Sequence, residues 1–195
     1  MDSTQAHLLT QLKQRDPNAL AALFDQYANP IHRLALRLLH DSAQADDVVQ
    51  NTFLALIEHI DRFEGRARIH TWLYRVAYND AMMRLRSRPG EPLDDEDGAA
   101  VMLPTALIDW KARPEDMLAQ AEAVGEMDRA VAALSPRLRA VFILRDVDEL
   151  STHETAEALG LSESAVKVSL HRARLALREQ LSAYFIERRG NHQEA

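Results

Sequence analysis

The sequence predicts an all-α protein made of two small helical domains joined by a flexible acidic linker, on three observations. Apolar residues recur three and four positions apart through both halves of the chain, as amphipathic helices require. No stretch alternates apolar and polar residues as a strand would, and the 195 residues include only 6 glycines. A proline-containing acidic stretch separates the two helical halves. We therefore expect domains at residues 1–88 and 114–188, with the linker at 89–113.

The first predicted elements are helices whose apolar residues are typical of a helical-bundle core. Residues 4–15 predict a short helix with leucines on one side. Asp16 and Pro17 supply an N-cap and a proline at the first helical position, so a second helix starts there. Pro30 allows a further helix start, and the apolar stripe continues to His40.

The next predicted helix, residues 42–60, has a polar face that its packing does not need. Two early aspartates suit the helix dipole. The apolar face that we expect to be buried consists of Val49, Phe53, Leu56, Ile57 and Ile60. The polar residues left over are Asp46, Asp47, Gln50 and Asn51. Such a face is either solvated or a binding surface, and its composition alone leaves both interpretations open.

A basic and aromatic segment follows. Residues 62–88 carry seven arginines against two acids, Glu64 and Asp80, and Gly65 is the turn residue of the loop before the next helix. In that helix, about 70–88, rings and cations interleave: Trp72, Tyr74, Tyr78, Arg75, Arg84, Arg86 and Arg88. Rings beside cations suit single-stranded nucleic acid, because bases stack on the rings while the backbone meets positive charge. The alternative is that Trp72 and Tyr74 belong to the core.

The middle of the chain accounts for its negative charge. The net charge is −7, and residues 89–122, which include the predicted linker, carry nine acidic residues against two cations, among them the run Asp94–Asp97. A local basic face, rather than the overall charge, decides whether a protein meets phosphate. The acidic run either mimics a nucleic-acid backbone or serves as a solvated tether, and apolar pieces near Met102 and Trp110 suggest docking on a partner.

The C-terminal half carries a helix-turn-helix pattern. A helix from Pro114 to about Leu134 and another after Ser135-Pro136 precede it. Ser151 and Glu154 have capping-box spacing, Gly160 is a left-handed stop, and Ser162 caps a second, longer helix. The apolar positions that face inward on this helix are Ala165, Val166, Leu170, Ala173 and Leu177. The cations on its other face are Lys167, His171, Arg172, Arg174 and Arg178. The pattern predicts DNA binding, against a plain helical hairpin with a solvated basic face.

Several function classes are disfavoured. There are no cysteines, which excludes disulfides and thiolate zinc sites, and the eight histidines show no HExxH pair, so we expect neither metal nor cofactor. No paired carboxylates, nucleophile–base set or phosphate-binding loop point to an enzyme. No apolar run reaches membrane-span length and the N-terminus lacks signal-peptide character, so we expect a cytoplasmic protein without direct membrane insertion.

Three strings together resemble a known family. They are ADDVVQNTFLALIEHIDRFEG, then TWLYRVAYNDAMMRLR, then LSPRLRAVFILRDVDELSTHETAEALGLSESAVKVSLHRARLALRE. In this order, with a linker between the last two, they resemble the extracytoplasmic-function (ECF) group of bacterial sigma factors over residues 16–182. The resemblance implies a dissociable subunit of RNA polymerase that recognises promoters and opens the strands.

The resemblance also implies roles for particular residues. The positions matching the helix that binds the beta-prime clamp of core polymerase are Asp46, Asp47, Gln50, Asn51 and Phe53, with Asn51 replacing the usual Glu. The positions matching the pocket that captures a base from the minus-ten element are Phe63, Gly65, Trp72 and Asn79, and we expect the neighbouring Arg66, Arg68, Arg75 and Tyr78 to contact the same DNA. Those matching the base-facing positions of the minus-thirty-five reader are Lys167, Val168, His171 and Arg172, and we expect Ser164, Arg174 and Arg178 to complete that DNA-binding surface. In the family the corresponding linker threads the polymerase. The expected partners within core polymerase are the beta-prime clamp and the beta subunit. Members are often inhibited by an anti-sigma factor, frequently one anchored in the membrane.

A rival interpretation is a stand-alone helix-turn-helix repressor or activator that binds duplex DNA as a dimer. Such a protein would not need the polar helix 42–60, nor an aromatic and basic helix on a separate domain. Co-elution with core polymerase would discriminate between the two interpretations.

Overall fold

A computed structural model describes residues 3–65, 67–88 and 117–191, with side chains over 5–65, 67–88 and 125–182. These segments contain helices and no strand, which confirms the predicted all-α class. A 3₁₀ turn, Ile60–Arg62, follows the helix that ends at His59, and a π-helical turn, Ile143–Val147, continues the helix that ends at Phe142. The helices are α1 Ser3–Lys13, α2 Pro17–Leu39, α3 Ser42–His59, α4 Ile69–Arg86, α5 Met117–Ala132, α6 Pro136–Phe142, α7 Thr152–Leu159 and α8 Glu163–Asn191. Arg66, the predicted linker 89–113 and the predicted start at Pro114 lie outside the described residues.

Helix α2 is continuous where the sequence predicted a restart. It begins after Asp16, whose carboxylate accepts from the backbone N–H of Asn18 at 2.9 Å, as predicted. It then runs through Pro30, although an interior proline removes one backbone hydrogen bond and disfavours the helix by about 3 kcal/mol. The apolar stripe continues on both sides of that proline, with Leu23 and Ile31 both buried. Burial along one straight stripe therefore outweighs the local penalty.

Helices α3 and α4 pack with α2 into the N-terminal bundle. Asp41 caps α3, accepting from the N–H of Gln44 at 3.0 Å. Helix α4 begins at Ile69 after an extended Arg68 and ends at Arg86, close to the predicted range. The fully buried side chains of this bundle include Ile31, Leu34, Leu38, Leu39, Val48, Leu56, Leu73 and Leu85.

The C-terminal helices confirm the local signals of the sequence. Ser151 and Glu154 form both bonds of the capping box at the start of α7. Gly160 ends α7 with φ +68°, the left-handed conformation that glycine adopts without a steric penalty. The hydroxyl of Ser162 accepts from the N–H of Ala165 at 3.1 Å, which fixes the start of α8. The inward face of α8 is buried as expected at Val166, Leu170, Ala173 and Leu177.

The two domains pack against each other. Helix α7 lies on α4, and α6 contacts α2. One apolar core therefore runs without interruption from α1 through the N-terminal bundle to Val166 and Leu170 of α8. A second, smaller cluster joins α5 to α8 around Val131 and Leu177. No feature of the sequence predicted the contact between the domains.

Candidate nucleic-acid and protein interfaces

Helices α2 and α3 form an open groove of about 510 Å³ with an apolar floor and a polar rim. Rings of Phe24 and Phe53 meet at a centroid distance of 4.8 Å, and Leu54 is 49% exposed. On the rim, His32 Nε2 lies 3.3 Å from Asp46 Oδ1. The remaining residues lining the groove are Ala28, Asn29, Val49, Gln50 and Ile57. Exposed apolar side chains within a polar rim are typical of a protein-binding surface.

The four polar residues predicted on α3 divide between two faces. Asp46 and Gln50 line the groove. Asp47 and Asn51 instead face α4, where they take part in a polar network. Asn51 Nδ2 donates to Asp80 Oδ2 at 3.0 Å. Arg84 donates to Asp80 Oδ1 and to Asp47 Oδ2, each at 3.1 Å. The structure thus places half of the predicted set in an intramolecular role.

The loop between α3 and α4 encloses a second open pocket, of about 520 Å³. Phe63 and Trp72 meet edge to face with centroids 6.2 Å apart, and Gly65 turns the loop with φ +72°. The structure thus brings together three residues that the resemblance assigned to one pocket. Glu64 and Ala67, which also line the pocket, belong to the loop in which the sequence placed base capture, whereas sequence reasoning missed His59 and Arg62. The clustering of arginines in 62–88 was the only signal for Arg62.

The basic face of α4 continues from this pocket. Trp72, Arg75 and Asn79 stand three and four positions apart, which places them on one face of the helix. Arg75 and Asn79 are exposed. Tyr78 is only 9% exposed, so it does not offer a ring face to a base in this structure. Its partner in the predicted aromatic set, Tyr74, is buried against the C-terminal domain.

The predicted reading surface on α8 is partly exposed and partly engaged. Ser164, Lys167 and Arg178 are exposed, while Val168, His171 and Arg172 are half-buried. His171 Nε2 is buried and has no hydrogen-bond partner within the described part of the chain.

Arg174 of α8 is held by an ion pair rather than presented to solvent. Its guanidinium donates twice to Asp146 of the π-helical turn, at 2.7 and 2.9 Å. A bidentate pair of this kind fixes the guanidinium geometrically. Arg174 therefore has to leave Asp146 before it can contact DNA as the sequence predicted.

Within the described ranges, no group of three or more His, Cys, Asp or Glu side chains could hold a metal ion. No helix in those ranges is both long and apolar enough to span a membrane.

Comparisons with known proteins agree with this arrangement. The family model described as sigma-70 region 2 matches residues 23–89, and that of sigma-70 region 4 matches residues 125–177. The ECF RNA polymerase sigma factor SigW of Bacillus subtilis is 32% identical, over 89% of this chain and 94% of its own length. The ECF sigma factor SigM of Mycobacterium tuberculosis is 30% identical, over 90% and 84%.

Solved structures show the same fold. CnrH, in complex with the cytosolic domain of CnrY, superposes with a TM-score of 0.68 at 23% identity, covering 93% of this chain and 99% of CnrH. The sigma factor RpoE of Bartonella quintana, in complex with the anti-sigma factor NepR, superposes with a TM-score of 0.61 at 23% identity, covering 83% and 96%. Two sigma-70 region models matched in order, together with relatives aligned over nearly their whole length, identify the family: the chain belongs to the ECF group of RNA polymerase sigma factors.

Proposed function

We propose that this sigma factor binds core RNA polymerase through the α2–α3 groove and carries two separate DNA-reading surfaces to a promoter. The observation that carries the proposal is the chemical contrast between its surfaces. The groove has an apolar floor with an acidic residue, Asp46, on its rim, which disfavours phosphate and suits a protein partner. The loop pocket and α8 carry cations, which suit nucleic acid.

The α3 side of the groove is the proposed contact for the polymerase clamp. Asp46 and Gln50 offer polar contacts, while Phe53 and Leu54 supply apolar surface. Exposed apolar side chains at the centre of such a patch provide most of the binding energy, and the polar rim provides specificity. Asp47 and Asn51 act indirectly, since they hold α4 in place.

The loop pocket is the proposed site for a base flipped out of the minus-ten element. Phe63 and Trp72 provide the aromatic walls, and the exposed Arg62 and Arg68 lie close enough in sequence to neutralise the adjoining backbone. Unstacking a base is unfavourable by a few kcal/mol, and stacking on aromatic rings returns about 1–3 kcal/mol per base. Capture in this pocket would therefore stabilise the opened strand.

The proposed reader of the minus-thirty-five element is the first part of α8. Ser164, Lys167 and Arg172 lie in the turns after the Ser162 cap, which are the turns that reach base edges in helix-turn-helix proteins. Val168 offers an apolar contact of the kind that suits a thymine methyl group. Arg178 lies further along and is placed to meet phosphate.

The remaining features of the chain follow from this role. We propose a minus-ten domain at 1–88, a linker at 89–113 and a minus-thirty-five domain at 114–188. Work on chromosomal promoters puts the protein in the cytoplasm, and it needs no catalytic group because the polymerase performs the chemistry. The anti-sigma factor in a solved complex of similar fold supports the proposal that an anti-sigma protein also restrains this chain.

In vitro transcription tests the proposal. Purified chain with core polymerase and a genomic fragment library should give transcripts that start downstream of one shared pair of sequence elements. The matched variant is Trp72→Ala, which should still bind polymerase. This variant should lose transcription from duplex templates, and transcription should recover on templates already opened at the minus-ten element. Specific duplex binding by a dimer of the chain alone, without transcription, would instead support a stand-alone regulator.

A further inference from the structure

The first helix, α1, contacts the far end of the loop that forms the loop pocket. Gln5 of α1 donates from Nε2 to the backbone carbonyl of Ala67 at 3.1 Å. Ala67 is one of the residues that line the pocket. The two residues stand 62 positions apart in sequence, so the contact is made by the fold and not by chain neighbours. The position of this pocket wall therefore depends on α1.

The turn that follows α1 holds the near end of the same loop. Arg15 Nη2 donates to Asp61 Oδ2 at 2.7 Å, and Arg15 Nη1 donates to the carbonyl of Ile57. Ile57 lies in the last turn of α3, where backbone carbonyls lack helical partners. Asp61 lies in the 3₁₀ turn that leads into the loop. Arg15 thus caps α3 and fixes the start of the loop with one guanidinium.

The backbone at Arg15 indicates that the side chain, and not the turn, explains an arginine at this position. The N–H of Asp16 bonds to the carbonyl of Gln11 and that of Arg15 to the carbonyl of Leu12, each at 3.0 Å, which is the Schellman pattern of a helix end. Arg15 occupies the left-handed position of this motif with φ +60°, where glycine is the usual residue. An arginine is sterically disfavoured in that conformation, so its guanidinium contacts offset a backbone disadvantage.

Between these two contacts α1 is fixed to the bundle by its apolar face. Leu9 and Leu12 are only 5% and 4% exposed and belong to the shared apolar core. Gln5, Leu9 and Leu12 follow the four- and three-residue spacing of one helix face. The stretch from Gln5 to Arg15 spans about 15 Å at 1.5 Å per residue. A helix anchored in this way keeps the two contacts with the loop at a fixed separation.

We propose that α1 is a positioning element for base capture, in which Gln5 and Arg15, together called the α1 brace, hold the loop at Ala67 and Asp61 so that the pocket is formed before a base enters it. The inference rests on the proposed function, because the loop needs a fixed shape only if it receives a base. A pocket that is already formed loses less conformational freedom on binding, which raises its affinity. The two brace residues contact the loop and not the base, so they act on the base only through the loop.

A plain structural role for α1 predicts a different result. Burial of Leu9 and Leu12 stabilises the bundle whatever the loop does. A loss of stability in an α1 variant would therefore not distinguish the two roles. The distinction lies in whether a brace substitution affects the contact with one base of the opened strand and leaves the remaining contacts unchanged.

Two substitutions remove the α1 brace and leave the apolar face of α1 intact. Gln5→Ala removes the donor to Ala67. Arg15→Gly removes the guanidinium and supplies the residue that a φ of +60° favours. Thr10→Ala is the matched control, because Thr10 is an exposed α1 residue whose hydroxyl donates to the carbonyl of Ala6 at 2.9 Å, within the helix. Melting temperatures of the three full-length variants show that each is folded.

Binding of single-stranded DNA by the chain assembled with core polymerase gives the readout. The probe is the non-template strand of a minus-ten element mapped by in vitro transcription, intact or with one base at a time replaced by an abasic site. With the parent chain, one abasic position should weaken binding most, because stacking on the pocket rings is lost there. Gln5→Ala should weaken binding of the intact probe by about three- to tenfold and leave binding of that abasic probe unchanged. Arg15→Gly should act in the same way with a smaller loss, because exposed ion pairs contribute little.

The comparison of intact and abasic probes separates the α1 brace from the proposed function. Equal losses on both probes, or no loss on either, would overturn the brace, while the sensitivity of the parent to one base would still support the proposed pocket. A loss with Thr10→Ala equal to that with Gln5→Ala would also overturn it, in favour of a plain structural role. A parent that binds every abasic probe as tightly as the intact one would overturn the proposed base capture and the brace together.

Discussion

At the scale of single residues, α3 shows how neighbours in sequence acquire different roles. Asp46 and Asp47 are adjacent, yet the 100° step of a helix turns Asp46 to the groove and Asp47 to α4. The same division separates Gln50 from Asn51. Composition identified four polar residues without a packing role, but only the positions of α2 and α4 decide which pair is exposed to a partner.

This division predicts separable effects on binding and stability. Asp46→Ala with Gln50→Ala should weaken competition for core polymerase and leave the melting temperature unchanged, because neither side chain supports α4. Asp47→Ala with Asn51→Ala should lower the free energy of unfolding by about 0.5–1.5 kcal/mol through the lost bonds to Arg84 and Asp80. Pull-down competition and thermal melting on both variants check this. Equal loss of polymerase binding in the two variants would contradict the division.

His70 gives the folded state a pH dependence. Burial lowers the pKa of His70 below its ordinary value of 6.5, an effect that Arg68 reinforces and Glu154 opposes; Tyr27 stacks on the ring. The folded state therefore binds this proton less readily than the unfolded state, so the stabilisation is complete above pH 6.5 and is lost as pH falls through the folded-state pKa.

The expected result is a lower free energy of unfolding on acidification from about pH 7.5 to about pH 5.5. Burial raises the pKa of Asp148, which has the opposite effect on stability, but its ordinary value of 3.8 lies below this pH range. Chemical denaturation at several pH values measures the change, and His70→Gln should reduce it. A parent protein that becomes more stable over this range on acidification would contradict the sign.

At the scale of elements, α8 combines the segment proposed to contact base edges with a segment that an ion pair fixes to the rest of the domain. Its start is fixed by Ser162, so the turns carrying Lys167 and Arg172 have a defined position. One turn further along, Arg174 is bound to Asp146 and supports the π-helical turn. Arg178, beyond it, is exposed.

Substitutions along α8 should therefore differ in kind. Arg172→Ala should lower the binding free energy for the preferred site by about 1–3 kcal/mol and relax preference at one base pair, because it removes the proposed base contact. Arg178→Ala should weaken binding to all sequences alike and reduce the slope of log affinity against log salt by about one unit, because it removes the proposed phosphate contact. A promoter library measured at several salt concentrations distinguishes them. If both variants flatten the preference equally, the roles assigned along α8 are wrong.

Substitution of Gly160 tests whether the turn between α7 and α8 requires a left-handed residue. A Cβ at this position meets no atom within 4 Å, so the effect of Gly160→Ala is the strain of a residue with φ +68°. We expect a loss of about 1 kcal/mol in the free energy of unfolding. Gly125→Ala is the matched control, since a Cβ at Gly125 also meets no atom within 4 Å. Gly125 lies inside α5, where alanine should raise the free energy of unfolding by about 0.5–1 kcal/mol. Chemical denaturation of both variants gives the comparison.

Across the whole molecule, sequence reasoning succeeded where the signal was local. The capping box needs only Ser151 and Glu154 three positions apart, and it formed as predicted. Pro30 suggested a new helix start, but α2 is continuous there, because burial of its long apolar stripe offsets the local penalty of an interior proline. Tyr74 and Asp148 stand 74 positions apart, and Arg139 pairs with a helix end about 100 positions away. No spacing rule reports such pairs, so the contact between the domains could not be predicted.

The shared apolar core has a consequence for how the protein denatures. Because Ile31 and Val166 belong to one core, neither domain can lose its packing without exposing surface of the other. Heating should therefore produce a single calorimetric endotherm whose van't Hoff enthalpy equals the measured enthalpy, the signature of one cooperative unit. Separated from each other, the two domains should each melt on their own.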